Sequence, residues 1–483
     1  MLKFNFNNKT LFFLVFILGV FLRYLFFSNL DSWFDEWNML YTVDPNIDNK
    51  KTWERFYGDR GAGGFLPEYY PPINAFLLKY FLKITNYYTE NARIYSLIFG
   101  TLSLVASYLL AIKITDKKNA IISIVLIAGN FFLIQQSSEI RPHSLVLFIS
   151  LMSIIFFIKI LNNNLKSITL ILTYILISIF LLSSWPFSLT IFFGKCIYIL
   201  LNLEHFKKKL ITLTLILFFI IVFYLIINHE YLIYMLSKKE HYTQLFYGFF
   251  YSYHFRSFFG SIALGAFFLL TFAYLILNYF KKLKKSILLK YDFLILIIIL
   301  STYMLTIIYS IIRAGVISPK YVIFILPLII IWIVSSSNNL NQKIKNYYLF
   351  FLIFFNYLNL ILNFYNTPIQ RPELNKALIA VSNSANFDIL INEDTVVTNA
   401  IKTSKKLNEN NLKLLDIKEI KESNINIFWF LCLNNPRFAH GNQMRPVEEK
   451  CNILENNSDF KEISNVNIKD FILKKYKKID KIF

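Results

Sequence analysis

Long apolar runs separated by short polar segments set the pattern of this chain. Residues 10–27 (TLFFLVFILGVFLRYLFF) and 209–227 (KLITLTLILFFIIVFYLII) are two of the clearest. A bilayer core needs about 20 helical residues to cross it, so runs of this length predict membrane spans rather than the core helices of a soluble domain. About eleven spans follow, near 10–30, 92–114, 119–136, 142–161, 167–184, 187–203, 209–229, 258–280, 291–312, 321–337 and 346–365. The expected fold class is an α-helical polytopic membrane protein.

The polar segments orient these spans. Lysines gather in short patches at 117–118, 207–209 and 281–285, with Lys166, Lys343 and Lys345 in the same class of loop. Alternating eleven spans from a cytoplasmic N-terminus places all of them inside, as the positive-inside rule requires. The net charge of +20 is therefore loop charge and does not imply nucleic acid. Lys3 and Lys9 precede the first run and no small-residue cleavage site follows it, so it is expected to be a retained anchor. The expected location is the plasma (inner) membrane.

Composition agrees: 56% of residues are hydrophobic and 18% aromatic, with few Gly and Pro, well above the globular balance. The outer face then receives a first loop (31–91), a turn at 137–141, an aromatic loop (230–257) and the C-terminal region. Within the first loop, residues 71–84 (PPINAFLLKYFLKI) are too short and too charged to span, and predict a juxtamembrane helix. After residue 365, short apolar runs such as TVVTN (395–399) and INIFWFLCL (425–433) alternate with charged, helix-like stretches. Two domains are expected: a transmembrane domain, 1–365, and a small α/β domain outside, 366–483. Cys432 and Cys451 fall in the latter, where a disulfide is compatible with an oxidising compartment.

Chemistry concentrates at span ends. The stretch NLDSWFDEWNML (29–40) interleaves Asp31, Asp35 and Glu36 with Trp33, Phe34 and Trp37. It can be an interfacial helix start with acidic caps and a Trp belt, or a reactive carboxylate site. A second polar knot, QQSSEIRPHSL (135–145), places Glu139, Arg141 and His143 between two apolar runs, where such groups are costly unless paired or used. For Arg141 and His143 a turn whose charges simply reach water remains an equal reading. His229, His241 and His254 show no metal-ligand spacing. Neither G-x-G-x-x-G nor G-x(4)-G-K-[ST] occurs.

These residues, in this order, resemble the membrane-embedded GT-C glycosyltransferases, specifically the protein O-mannosyltransferase, lipid A aminoarabinose transferase and Rgt-type galacturonosyltransferase group. The likeness runs over 10–160. It comprises LRY at 22–24, the W-x-D-E stretch Trp33-Phe34-Asp35-Glu36, Tyr70-Pro71-Pro72, Glu90 with Arg93 and Gly100, and the turn Ser137-Ser138-Glu139-Ile140-Arg141-Pro142. PKYVIFILPL (319–328) is similar to the family's R-Y-x(5)-P element, with Lys320 in place of Arg; Tyr70 stands where relatives often carry His.

The resemblance implies transfer of a sugar from a polyprenyl-phosphate carrier to an acceptor hydroxyl of a lipid A, glycan or protein, on the outer face and with inversion. Asp35 is the candidate general base. Glu36 and Glu139 could orient the acceptor or hold a divalent cation, and no cofactor is certain. Arg23, Arg93, Arg256, Arg313 and Lys320 are candidate partners of the leaving phosphate, Lys320 first, with Arg141, Tyr321 and Tyr70 as further substrate contacts. The competing class is a transporter or flippase, which predicts ionisable or helix-breaking residues at mid-span; after the fourth span the runs are nearly free of charge there. A ligase moving whole oligosaccharides would carry a larger late outer loop.

Overall fold

The computed structural model describes residues 8–28, 30–57, 72–162, 167–202, 210–229, 232–233, 255–281, 290–312, 318–366, 371–383, 389–392, 395–423, 425–433, 451–452, 454–455 and 459–479. The chain forms two compact units. The first comprises 1–28, 69–74 and 96–366, and the second 29–68, 75–95 and 367–483. The first outer loop thus shares a compact unit with the C-terminal region.

The first unit is helical. By length and composition six helices among the described residues can cross a membrane: Asn8–Phe27, Thr89–Ile114, His143–Asn162, Ile262–Lys281, Tyr291–Ile312 and Gln342–Asn366. Four apolar helices are shorter, Ile168–Ser184, Pro186–Leu201, Ile216–Ile227 and Ile325–Asn339. We label α1 (Asn8–Ser28), α2 (Phe34–Thr42), α3 (Asn49–Tyr57), α4 (Ile73–Thr85), α5 (Thr89–Ile114), α6 (Lys117–Ala128), α7 (Phe131–Gln136), α8 (His143–Asn162), α9 (Ile168–Ser184) and α10 (Leu189–Leu201).

The run 119–136, expected as one span, is two helices, α6 and α7. The break falls at Gly129-Asn130, where the Asn130 side chain accepts from Leu133 N–H as a new N-cap, the local alternative that makes Asn a helix interrupter. Helix packing is close where glycine allows it: a Cβ on Gly194 of α10 would lie 2.8 Å from Ile298 Cα. The helix over Ile325–Ser336 tolerates Pro327 because that residue sits in its first turn, where an N–H has no intrahelical partner.

The second unit is built on a five-stranded sheet of order β2-β1-β3-β5-β4, with β1 Ile389–Ile391, β2 Lys413–Leu415, β3 Ile427–Leu433, β4 Phe460–Ile468 and β5 Phe471–Lys478. β1 runs parallel to β2 and β3, and β5 antiparallel to β3 and β4. The period of two in β3 feeds two cores. Trp429 and Leu431 face a cluster containing Leu378, Val381 and Ile401, while Phe428, Phe430 and Cys432 face Ile420, Cys451 and Phe460. Cys432 and Cys451 are joined by a disulfide.

The run TVVTN, read as one of the short apolar segments between helices, instead opens the helix Thr395–Thr403. Val397, Ala400 and Ile401 are fully buried at helical spacing against the first cluster, so packing overrides the β-preference of Val and Thr. α2 joins the same cluster through Trp37, which is fully buried and donates Nε1–H to Ser32 Oγ at 2.7 Å. Trp37 is thus a core residue and not part of an interfacial belt. α4 is the expected short helix and leaves Leu77, Tyr80 and Ile84 exposed.

Candidate active site

In the second unit the acidic stretch is organised by a two-arginine clamp. α2 has Trp33 as N-cap, whose side chain offers no acceptor. Glu36 at N3 instead reaches back to the Trp33 N–H at 3.3 Å, half of a capping box. The same carboxylate receives Arg93 Nε at 2.9 Å and Arg93 Nη2 at 2.8 Å, a bidentate pair, and Arg371 Nη1 at 2.9 Å. All three side chains are buried and Glu36 is fully so. The remaining Arg93 donors go to the carbonyls of Leu30 and Asp31. The Arg371 guanidinium lies 5.5 Å from the Trp33 ring centroid and its carbonyl accepts from Lys469. Arg93, expected as a phosphate partner, therefore spends its donors inside the protein.

Asp31 and Asp35 flank this clamp. Burial pushes the Asp31 carboxyl up to about 6, against the pull of Arg93, the Asn375 N–H and Arg371 and with the help of Glu373. Its Oδ1 is buried without a hydrogen-bond partner. Asp35 is 9% exposed. It follows from helical geometry that neighbours 35 and 36 point about 100° apart, so the two carboxylates do not share a face.

The first unit holds the other candidates. Arg23 of α1 is fully buried and donates from Nε to Ser137 Oγ at 3.2 Å and from Nη1 to the carbonyls of Gly19 and Ala128 at 3.0 and 3.4 Å. Ser137 meets α5 at Gly100, where a Cβ would come within 2.2 Å of Ser137 Oγ. The glycine is needed for that approach. The turn after α7 does not simply reach water: Glu139 and His143 are 4% and 2% exposed. Glu139 accepts from Gln135 Nε2 at 3.2 Å and Gln136 Nε2 at 3.4 Å.

Both ring nitrogens of His143 lack a hydrogen-bond partner among the described residues, and the ring meets Trp185 edge-on at 5.3 Å. Trp185 donates Nε1–H to the Tyr321 carbonyl at 2.8 Å, and Phe187 stacks on the Tyr321 ring at 5.0 Å. Arg141 and Lys320 are within electrostatic range of the His143 ring. The fold thus brings Arg141, His143, Lys320 and Tyr321 together as a cationic, aromatic cluster.

Tyr70, Arg313, His241 and His254 lie outside the described residues. Arg256 is exposed, and His229 bonds only to the Ile226 carbonyl at 3.1 Å. Among the described residues no group of three or more His, Cys, Asp or Glu is placed to hold a metal ion, and Glu36 is already saturated by arginine. Two residues had no sequence signal. Arg371 meets Glu36 across 335 positions. Lys195 sits mid-way along α10, fully buried, donating to Ser153 Oγ at 2.8 Å and Tyr174 Oη at 3.2 Å, an exception to the charge-free later spans.

Residues 70–227 match the profile of the dolichyl-phosphate-mannose-protein mannosyltransferase family. The whole chain superposes on ArnT from Cupriavidus metallidurans. In its apo state the TM-score is 0.55 at 8% identity, covering 97% of this chain and 98% of that one. Bound to undecaprenyl phosphate it is 0.53 at 9% identity, covering 97% of each. The chain therefore has the fold of ArnT, and its segment 70–227 is similar to the protein mannosyltransferases. A weaker likeness joins it to the archaeal oligosaccharyltransferase AglB from Archaeoglobus fulgidus, with a TM-score of 0.49, 11% identity and coverage of 88% of this chain and 69% of that one. Comparison with curated protein sequences finds no match. Six helices among the described residues are long and apolar enough to cross a bilayer, and with the ArnT-like fold they make the chain an integral membrane protein that also carries a small C-terminal sheet.

Proposed function

We propose that the protein is an inverting glycosyltransferase that moves a single sugar, hexose or pentose, from a polyprenyl-phosphate donor to an acceptor hydroxyl of a lipid A, glycan or protein. The reaction takes place on the outer face of the inner membrane, with the N-terminus in the cytoplasm and the C-terminal domain outside. The observation that carries the reading is the commitment of Glu36 to Arg93 and Arg371, which anchors the start of α2; Asp35, its neighbour in the motif, is the carboxylate assigned to act. An acceptor hydroxyl is a weak nucleophile, and a carboxylate beside it takes its proton as the bond to the anomeric carbon forms. Glu36 serves by fixing the start of α2 and hence the direction of Asp35.

The leaving lipid phosphate needs cationic partners to stabilise its charge. Arg141 and Lys320, both within electrostatic range of His143, offer them, with Lys320 over the Tyr321 ring. ArnT was captured with undecaprenyl phosphate, which favours a carrier of the same chemistry here. Lys320 meets phosphate as a point charge rather than a fork. Glu139, buried and fed by two glutamine amides, is assigned to orienting the acceptor.

The test is sugar transfer in membranes carrying Asp35→Asn. Turnover should vanish while expression and melting stay as in the wild type, and near-normal turnover would remove Asp35 from the role. Glu139→Gln should lower turnover more than Arg141→Gln; equal mild effects would return that turn to a structural role. Envelope lipids and glycans from cells lacking the gene should lack one sugar and accumulate a polyprenyl-phosphate sugar. An unchanged profile with altered solute export would favour transport, the class for which Lys195 at mid-span would be the natural starting point.

A further inference from the structure

A cavity of about 590 Å³ opens at the opposite end of the first unit from the Glu139 turn. It is lined by Lys113, Thr115 and Asp116 after α5, by Tyr279, by Lys290, Tyr291 and Asp292 at the start of Tyr291–Ile312, and by Ser335, Asn338 and Asn339. α5 fixes its distance from that turn. Gly100 touches Ser137, and at 1.5 Å rise per residue Ile114 lies about 21 Å further along the helix axis. A volume of this size is typical of small-ligand sites, roughly 300–1,000 Å³.

The charges in the cavity are unequally committed. Asp116 is used as the N-cap of α6, accepting from Asn119 N–H at 2.9 Å and Asn119 Nδ2 at 2.7 Å. Asp292 accepts from Tyr279 Oη at 3.1 Å and Phe293 N–H at 2.8 Å. The Lys113 and Lys290 side chains have no hydrogen-bond or ion-pair partner among the described residues. Two cations therefore line a cavity whose acids are already bonded. Beyond the rim, the same end carries Lys117, Lys118, Lys159, Lys281, Lys343 and Lys345.

The flanks are apolar. Ile112, Phe280, Ile344 and Tyr347 are 39%, 44%, 59% and 67% exposed, immediately beside Lys113, Tyr279 and Lys345. We propose that this cavity binds the phosphate headgroup of an anionic membrane lipid, with Lys113 and Lys290 on the phosphate and the acyl chains lying along the apolar flanks. Basic pockets between helices at the lysine-rich membrane face are built for such headgroups. The flanks decide for a lipid over free phosphate, since a soluble anion gains nothing from them. This site is separate from the proposed sugar transfer and does not depend on it.

Native mass spectrometry of the full chain in neutral detergent tests this, titrating phosphatidylglycerol, phosphatidylcholine and inorganic phosphate. The wild type should hold phosphatidylglycerol at least tenfold more tightly than phosphatidylcholine. Lys113→Gln with Lys290→Gln should weaken it by about thirtyfold for the two charges, while Lys113→Arg with Lys290→Arg should retain it. Lys117→Gln with Lys343→Gln, on the collar but outside the cavity, should change binding less than threefold. An equal loss from the collar variant would make the attraction a general one and overturn the site. Competition by millimolar inorganic phosphate would overturn the lipid assignment, and equal binding of the two lipids would overturn both.

Discussion

Replacing Glu36 by Gln keeps the shape of the clamp and removes its only carboxylate. Gln can accept from one guanidinium, but its amide then donates toward the other, and Arg93 and Arg371 are left buried at 4% and 6% exposure. With N···O distances of 2.8 and 2.9 Å, charge centres about 4 Å apart and an effective dielectric near 20, each pair is worth about 4 kcal/mol gross. Desolvation offsets much of that. Breaking a buried pair costs about 3–5 kcal/mol, because the partner charge stays behind.

For a unit of this size each kcal/mol moves the melting point by about 2–4 °C, so Glu36→Gln should melt on the order of 10 °C lower. Tryptophan fluorescence reads this directly, since Trp33, Trp37, Trp53 and Trp429 all belong to the affected unit. Adding Arg371→Gln removes one stranded cation and should recover part of the loss, a coupling of at least about 1 kcal/mol in a double-mutant cycle. Melting of Glu36→Gln within about 2 °C of wild type, or strict additivity of the two substitutions, would refute the clamp.

Asp31→Asn should stabilise the protein at pH 7.5 by up to about 3 kcal/mol, since a carboxyl raised from 3.8 to about 6 costs that much when ionised. That cost is present above pH 6 and disappears as the folded state takes up a proton between pH 6 and pH 4, so the melting curves of variant and wild type should converge at pH 4; a gap independent of pH would be inconsistent with it. Gly100→Ala forces its Cβ into Ser137 and should cost about 1–3 kcal/mol; an unchanged melting temperature would show that α5 shifts freely. Lys195→Met should be neutral or stabilising, because replacing a buried cation with an apolar side chain of similar volume often is. A loss above about 3 kcal/mol in thermal melts would mean that the ammonium makes interactions beyond Ser153 and Tyr174.

The apolar helices and strand β3 were legible because each is written locally: an apolar run near bilayer length, and a short apolar run between helix-like stretches. What was not legible is written across distance. Nothing around Arg371 marks it as the second arginine of a clamp in the first loop. The bland reading of 29–40 as helix caps and a Trp belt turned out to be half right, since Glu36 does cap α2, yet Trp37 is core. TVVTN has strand composition and became a helix because Trp37 and its neighbours needed an apolar face at helical spacing. The split of 119–136 could have been suspected from Gly129-Asn130, a breaker pair inside an otherwise uniform run.

The charge balance of the clamp connects its stability to the proposed chemistry. Arg93 and Arg371 bring two positive charges, Glu36 returns one negative, and Asp31 and Glu90 add further negative charge within electrostatic range of Arg93. Burial holds Asp31 near 6, so acidification through that range removes one negative charge beside the start of α2. Glu36 accepts three charge-assisted hydrogen bonds from two buried guanidinium groups and so fixes the start of α2. In the proposed chemistry that anchoring aims Asp35, the neighbouring carboxylate assigned to react, while protonation of Asp31 near 6 changes the charge around the clamp.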